Sequence, residues 1–178
     1  TRDDAAGEAF DKVARAIGLP YPGGPQIESL SKEGNPKAIL LPRAWMGEDN
    51  LDFSFSGLKS AVLNYLNQAQ MKGEEVKQED VAASFQHTVV ESLVRKAVVA
   101  MKDTGYKKIV LAGGVSANKT LQNELAAAME KIGCELVHPT KILCTDNAVM
   151  IACRGYFMYQ SGMESPLDLN AVPSLKLG

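Results

Sequence analysis

The chain has 178 residues, a net charge of −2, an apolar share of 46% and a charged share of 22%. That length buries roughly 70% of the surface an unfolded chain exposes, enough for a full core, and the composition excludes a disordered or strongly nucleic-acid-coating chain. No apolar run approaches the ~20 residues of a membrane span, so no membrane partner is expected. The acidic, amphipathic start TRDDAAGEAF has no signal-peptide character, and without an initial Met the chain is expected to be processed or partial. Cys134, Cys144 and Cys153 are odd in number and fit no zinc or redox spacing. Reduced thiols and a cytoplasmic location are expected.

Residues 1–17 carry Ala6, Ala9, Phe10, Val13, Ala14 and Ile17 at helical spacing. Thr1 and Asp4 resemble a capping box, and Gly18 suits the stop. LPYPGGP (19–25) is a hard break, and Pro25 fits the first turn of a short helix through 32. Residues 33–50 read as loop with a short strand at 39–41. In LDFSFSGLK (51–59) the apolar Leu51, Phe53 and Phe55 alternate with polar residues, the period of a half-buried strand or an extended segment. Ser56 is then expected to cap a helix whose face is Leu58, Ala61, Val62, Tyr65, Leu66 and Ala69. A charged connection, MKGEEVKQED, precedes the longest helix, 78–103, with Val81, Phe85, Val89, Leu93, Ala97 and Ala100 as its stripe.

The last third alternates cleanly. A strand (108–112) leads through a glycine turn to a helix (119–131), then a strand (135–137), a loop (139–145) and a final helix (147–160). This order argues for α/β layering behind a long helical insertion.

Three stretches carry candidate chemistry. Gly113-Gly114 ends a strand and lets a backbone approach a ligand without Cβ interference, beside a helix N-terminus. A plain tight turn explains the pair about as well. Cys144-Thr145-Asp146-Asn147 opens the last helix. Thr145 or Asp146 as N-cap is the simpler reading there, and Asp146 as a metal ligand is the sharper one. Asp4, Glu8 and Asp11 share one helix face, where like charges repel unless a cation or donor compensates. His87 and His138 form no metal motif, and no serine elbow or Cys–His pairing is present.

Taken together, DDAAGEAFDKVAR (3–15), YPGGP (21–25), LDFSFSGLK (51–59), AGGVSAN (112–118) and CTDNAVMIA (144–152) resemble the successive signatures of the tRNA N6-adenosine threonylcarbamoyltransferase family. Older usage calls it the O-sialoglycoprotein endopeptidase or glycoprotease family. The resemblance implies an α/β fold, a ribonuclease H-like domain of the actin/hexokinase/Hsp70 (ASKHA) superfold with a helical insertion. It covers only the C-terminal half of such a protein, with 25–105 as the largely helical insertion and 106–162 as the α/β nucleoside-binding portion. The family's paired-histidine metal motif and Ser-Gly-Gly-His loop are not found here, so the N-terminal domain is expected to be absent from the chain.

Position by position, the resemblance implies that Asp146 is the acidic ligand of a divalent metal, iron first, with zinc or magnesium as alternatives. Asp11 and Gly24 match nucleotide- or intermediate-binding positions. Asn118, after Gly113 and Gly114, matches the residue that contacts the nucleoside, and Glu28 stands where many members have a ribose-contacting Asp. The implied reaction moves the threonylcarbamoyl group of threonylcarbamoyl-AMP to N6 of the adenine beside the anticodon in tRNAs reading ANN codons. The nucleotide site would hold that intermediate or ATP/ADP. The implied partners are tRNA, a noncatalytic paralogue and a small ATPase. Arg95, Lys96, Lys107, Lys108 and Lys119 are candidate tRNA contacts. A noncatalytic nucleotide-binding fragment and a small-molecule kinase of the same superfold are the competing readings; nothing in the chain supports a protease.

Overall fold

The computed structural model describes residues 3–46 and 50–174. The chain divides into two compact units, Thr1–Cys144 and Thr145–Gly178. In the first unit, α1 (Ala6–Ala16) buries Ala9, Phe10, Val13 and Ala14 along one face, and Gly18 follows its end at φ +80°. Thr1 of the expected capping box lies outside the described residues. Asp4 instead accepts bonds from Lys12 (2.9 Å) and Lys59 (3.3 Å). Lys12 also meets Glu8 at 2.7 Å, so lysines compensate Asp4 and Glu8, while Asp11 accepts a backbone amide.

The short α2 (Gly23–Leu30) carries Pro25 in its first turn, as expected, and stops before 32. It lies tightly on α1: a Cβ at Gly23 would sit 2.6 Å from the Ala14 Cβ and 2.7 Å from the Asp11 Cα.

The next helix, α3 (Phe55–Lys72), starts two residues earlier than Ser56 capping requires, with Ser54 at the N-cap. The reason is tertiary. The Asp3 carboxylate accepts the Ser56 N–H (2.8 Å), the Ser54 hydroxyl (3.3 Å) and the Ser56 hydroxyl. It therefore serves the orphan amides of a helix more than fifty residues away. The alternation at 51–55 yields only a Trp45–Phe53 antiparallel bridge, with Phe53 and Phe55 stacked at 5.3 Å. The α3 face is as expected, with Leu58, Val62 and Ala69 buried.

The long helix α4 (Gln78–Thr104), about 40 Å from end to end, serves two cores. Val81, Phe85 and Val89 pack with α1, α2 and α3, and Phe85 meets Phe10 edge-on at 5.1 Å. Further along, Ala97 and Met101 join Leu125 and Met129. The strand expected at 39–41 does not form, and Leu40 is fully exposed. Side chains of α4 replace the missing strand partners: Asp80 accepts the Asn35 N–H (2.7 Å), Ser84 that of Ile39 (3.2 Å) and Ser92 that of Ala44 (3.2 Å).

Beyond α4, β1 (Lys108–Val110), α5 (Lys119–Lys131) and β2 (Glu135–Val137) make a parallel crossover, with Ile109 opposite Leu136. The strand expected to reach 112 ends at Val110, because its partner ends at Val137. One further bond continues the ladder, from the Leu111 N–H to the Val137 carbonyl at 2.9 Å. Ile109 and Leu136 face α4 and α5. Val110 and Val137 face outward and are exposed.

The second unit contains α6 (Ala148–Gln160). Its cap is Asn147, whose Oδ1 accepts the Met150 N–H at 3.1 Å, not Thr145 or Asp146. Its apolar residues, among them Ile151 and Phe157, are exposed. No described helix is long and apolar enough to cross a membrane.

Two outcomes follow from this packing. A Cβ at Gly34 would lie 1.9 Å from the Glu79 carbonyl oxygen, so Gly34→Ala is expected to cost about 2 kcal/mol or more, read from denaturant unfolding. Asp3 is held below its ordinary 3.8, chiefly by the Ser56 hydroxyl and then by the Ser56 amide. A lowered carboxyl contributes stability that is complete above the ordinary value and is lost as pH falls through the folded one. Asp3→Asn should therefore be less stable than the parent at neutral pH, with the gap closing below pH 3.8; a gap of equal size at about pH 2 would contradict this.

Candidate functional site

Local sequence builds a polar edge from α1, α2 and the glycine turn. Asp11, midway along α1, accepts the Gly23 N–H at 2.8 Å. It thereby fastens the turn and serves one of the free amides at the start of α2. Gly23 and Gly24 then separate in kind. Gly23 has no room for a side chain, whereas a Cβ at Gly24 would meet nothing within 4 Å. One glycine is demanded by packing and the next is not.

Glu28, one turn further along α2, reaches across to α5. Its Oε1 accepts the Lys119 N–H at 2.6 Å. Asn118 caps the same helix: its Oδ1 accepts the Leu121 N–H at 2.9 Å. The residue is 7% exposed, and its Nδ2 donates to Gln86 Oε1 at 2.8 Å. Gly113 stands just before a 3-10 turn, Gly114–Ala117, at φ +89°, ψ 170°, a conformation natural only to glycine. A Cβ at Gly7 would lie 3.5 Å from the Val115 Cγ2, so this turn also abuts α1. Ser116 is buried with an unpartnered hydroxyl among the described groups, while its carbonyl accepts Gln122 Nε2 at 2.6 Å.

Asp11, Gly24, Glu28, Gly113, Gly114 and Asn118 thus all fall within the first unit, on α1, α2 and the turn into α5. The edge presents a carboxylate, a buried amide and an open glycine, close to the turn that follows β1.

Asp146 falls in the second unit. It is exposed, and no hydrogen bond or ion pair among the described residues engages it. With Asn147 as the cap, the simpler reading of Asp146 loses its basis. No group of three His, Cys, Asp or Glu side chains able to hold a metal occurs among the described residues. The residues present do not make a metal site by themselves.

The candidate tRNA contacts fare unevenly. Lys96 is 5% exposed, and its amine is turned inward to the Asp52 carbonyl and to Asn50 Oδ1, so it is withdrawn from any such surface. Arg95 pairs with Glu91 at 3.1 Å, as Arg43 does. Both guanidiniums approach the Trp45 ring, at 5.8 and 5.1 Å. The Arg43 hydrogen bond is the main cause that lowers the Glu91 carboxyl. Lys108 pairs with Glu135, and Lys119 Nζ donates to Gln122. An apolar cavity of about 260 Å³, lined by Phe53, Leu93, Ile109, Leu111 and Leu125 with Lys96 at its wall, lies apart from the polar edge residues.

The residue that sequence reasoning missed is Gln86. A signal existed: its neighbours at i−4 and i+4, Ala82 and Val90, are both apolar and both buried, so a glutamine there falls in the buried phase of the helix.

Fold and edge together define an α/β protein with a polar edge built from α1, α2 and the glycine turn before α5. Comparison with known proteins narrows this. Residues 1–153 match the family model for tRNA N6-adenosine threonylcarbamoyltransferase. Proteins of that name from Moorella thermoacetica and Clostridium botulinum (strain 657 / Type Ba4) are 58% and 60% identical, over 99% and 100% of this chain and 52% of each relative. The chain belongs to the tRNA N6-adenosine threonylcarbamoyltransferase family, and it spans about half the length of the curated relatives it matches. Among solved structures, HypF from T. kodakarensis superposes with a TM-score of 0.65 at 20% identity, over 90% of this chain and 20% of that one. A full-length HypF in its phosphate- and nucleotide-bound form gives 0.58 at 26% identity, over 80% and 18%. These likenesses agree with a mixed fold of helices and parallel strands.

The two adjacent glycines give a direct check. Gly23→Ala should lose about 1–3 kcal/mol by overpacking. Gly24→Ala should keep the fold and gain up to about 1 kcal/mol. Equal losses on thermal unfolding would sink the distinction.

Proposed function

We propose that the protein to which this chain belongs transfers the threonylcarbamoyl group of threonylcarbamoyl-AMP to N6 of the adenine beside the anticodon in tRNAs reading ANN codons. In this reading the chain supplies the nucleoside side of the cleft. The observation that carries it is the shared polar edge: Glu28 and Asn118, far apart in sequence, flank the Lys119 amide in a chain up to 60% identical to enzymes of that name. The ribonuclease H-like, ASKHA reading of the fold rests on the same resemblance, supported by the likeness to a full-length HypF in the phosphate- and nucleotide-bound form. This chain is read as the C-terminal half of a two-domain protein.

The chemistry asks mainly for positioning. In threonylcarbamoyl-AMP the carbonyl carbon is already activated as a mixed anhydride. The N6 amine attacks that carbon, the bond to the AMP phosphate oxygen breaks, and N6 loses a proton. Holding two such reactants in register supplies several kcal/mol of the barrier lowering. Glu28 offers acceptor oxygens to ribose hydroxyls. Asn118 retains a second Nδ2 hydrogen and a second Oδ1 lone pair for the base, since an amide has four such valences and two are committed. Gly24 lets the intermediate approach α2 closely.

Asp146 would supply one carboxylate to a divalent ion, iron, zinc or magnesium, whose other ligands are proposed to come from the N-terminal half of the protein. The isolated chain is accordingly proposed to be inactive, a nucleotide-binding piece. The proposed partners are tRNA, a noncatalytic paralogue and a small ATPase, in the cytoplasm.

The test is transfer of labelled threonine to tRNA by the full-length enzyme in its complete reaction system. Asn118→Asp keeps the cap oxygen and removes the donor, and Gly24→Ala fills the open side of α2. Each should lower the rate tenfold or more, a loss of about 1.4 kcal/mol, compared at a temperature where the variant is folded. Asp146→Ala should do the same. Wild-type rates in Asn118→Asp and Gly24→Ala together would refute the nucleoside edge.

A further inference from the structure

We propose that Gln86 is a positioning residue for the nucleoside site: it fixes the Asn118 amide and ties α2 to α5 from beneath. The inference rests on the reading of Asn118 given above. Gln86 lies in the body of α4 and is 5% exposed. Its Oε1 accepts Asn118 Nδ2 at 2.8 Å, and its Nε2 donates to Ser31 Oγ at 2.7 Å and Thr120 Oγ1 at 3.3 Å. One side chain thus touches the α2 C-cap, the α5 N-cap and the first turn of α5.

The polarity of this relay is set independently at both ends. On the α2 side, the Ser31 hydroxyl donates to the Glu28 carbonyl at 3.0 Å. Its proton is committed, so Ser31 Oγ accepts from Gln86 and the glutamine nitrogen must face α2. On the α5 side, the Leu121 N–H donates to Asn118 Oδ1 at 2.9 Å, so the asparagine nitrogen must face Gln86. The two backbone groups, one on each helix, demand the same orientation of both amides. An amide flip at either residue would set like atoms against each other. Asn118 therefore meets a ligand with a defined donor and a defined acceptor, not with an averaged pair.

The relay also matters for the spacing of the edge. The exposed link between α2 and α5 is Glu28 to the Lys119 N–H. A ligand hydroxyl that takes a Glu28 oxygen competes with that bond. The buried link through Gln86 lies out of reach of such competition, and it holds Asn118 against α2 while Glu28 changes partner. An apolar residue at 86 would suit its neighbours Ala82 and Val90, but would leave the inward Nδ2 hydrogen of Asn118 without a partner in a buried place.

The experiment measures ADP affinity by calorimetry on the full-length enzyme, with unfolding midpoints taken alongside. Gln86→Leu is expected to weaken ADP about tenfold at a temperature where the variant is folded. Gln86→Met, close in length and lacking the amide, serves in its place if the leucine variant does not fold. Gln86→Glu keeps an acceptor toward Asn118 but loses the donor to Ser31 and Thr120, and should weaken ADP less than Gln86→Leu does. In an Asn118→Asp background, Gln86→Met should change ADP affinity no further, because the amide it orients is gone. A purely structural role would lower the midpoint and leave the affinity of folded protein intact. Wild-type affinity in folded Gln86→Leu or Gln86→Met, with affinity lost in Asn118→Asp, overturns the proposal alone. Wild-type affinity in Asn118→Asp overturns the reading of Asn118, and this proposal with it.

Discussion

The first unit depends on one long helix whose polar side chains take up the backbone of an irregular segment. Helix α4 carries Asp80, Ser84, Thr88 and Ser92 at steps of four, a polar ribbon along one side. Asp80, Ser84 and Ser92 accept backbone amides of the connection between α2 and α3, and the Thr88 and Ser92 hydroxyls donate to carbonyls one turn back. An irregular segment can lie against a core only if its amides find partners. With α4 supplying them, residues 35–44 need no sheet. The apolar side of the helix is thereby free to serve two cores.

The signature stretches of the chain also fasten one another. DDAAGEAFDK and FSFSGLK meet through Asp3 with Ser54 and Ser56, and through Asp4 with Lys59. Much of what looks like a functional motif is therefore structural. The useful contrast lies between neighbours. Gly23 is crowded and Gly24 is open; Asn147 caps a helix while Asp146 is uncommitted among the described residues. Asn118 is held at both ends, its oxygen capping α5 and its nitrogen bonded to Gln86; its two remaining valences are those proposed to meet the nucleoside.

The elements most legible from sequence were those governed by short-range periodicity. The span of α5, the stop at Gly133, and α1 and α4 to within a few residues follow from apolar spacing and glycine position. The polar edge was legible only by resemblance, since the glycine pair alone fitted a plain turn equally well. Among the local expectations that did not hold, two failed for a tertiary reason. A strand at 39–41 was favoured by apolar content, yet side chains of α4 took the amides a neighbouring strand would have used. Ser56 had the chemistry of a cap, yet Asp3 fulfilled that need from outside and moved the helix start to Phe55.

By itself the sequence determined the helix and strand periods, which depend on residues a few positions apart, and the family, which its successive motifs carry. Tertiary structure alone decided which polar residues are partners. Asp3 with Ser56, Glu28 with the Lys119 amide and Gln86 with Asn118 are each separated by more than thirty residues. No local pattern encodes such pairs; they form because packing of the helices around α4 brings distant groups within hydrogen-bond reach.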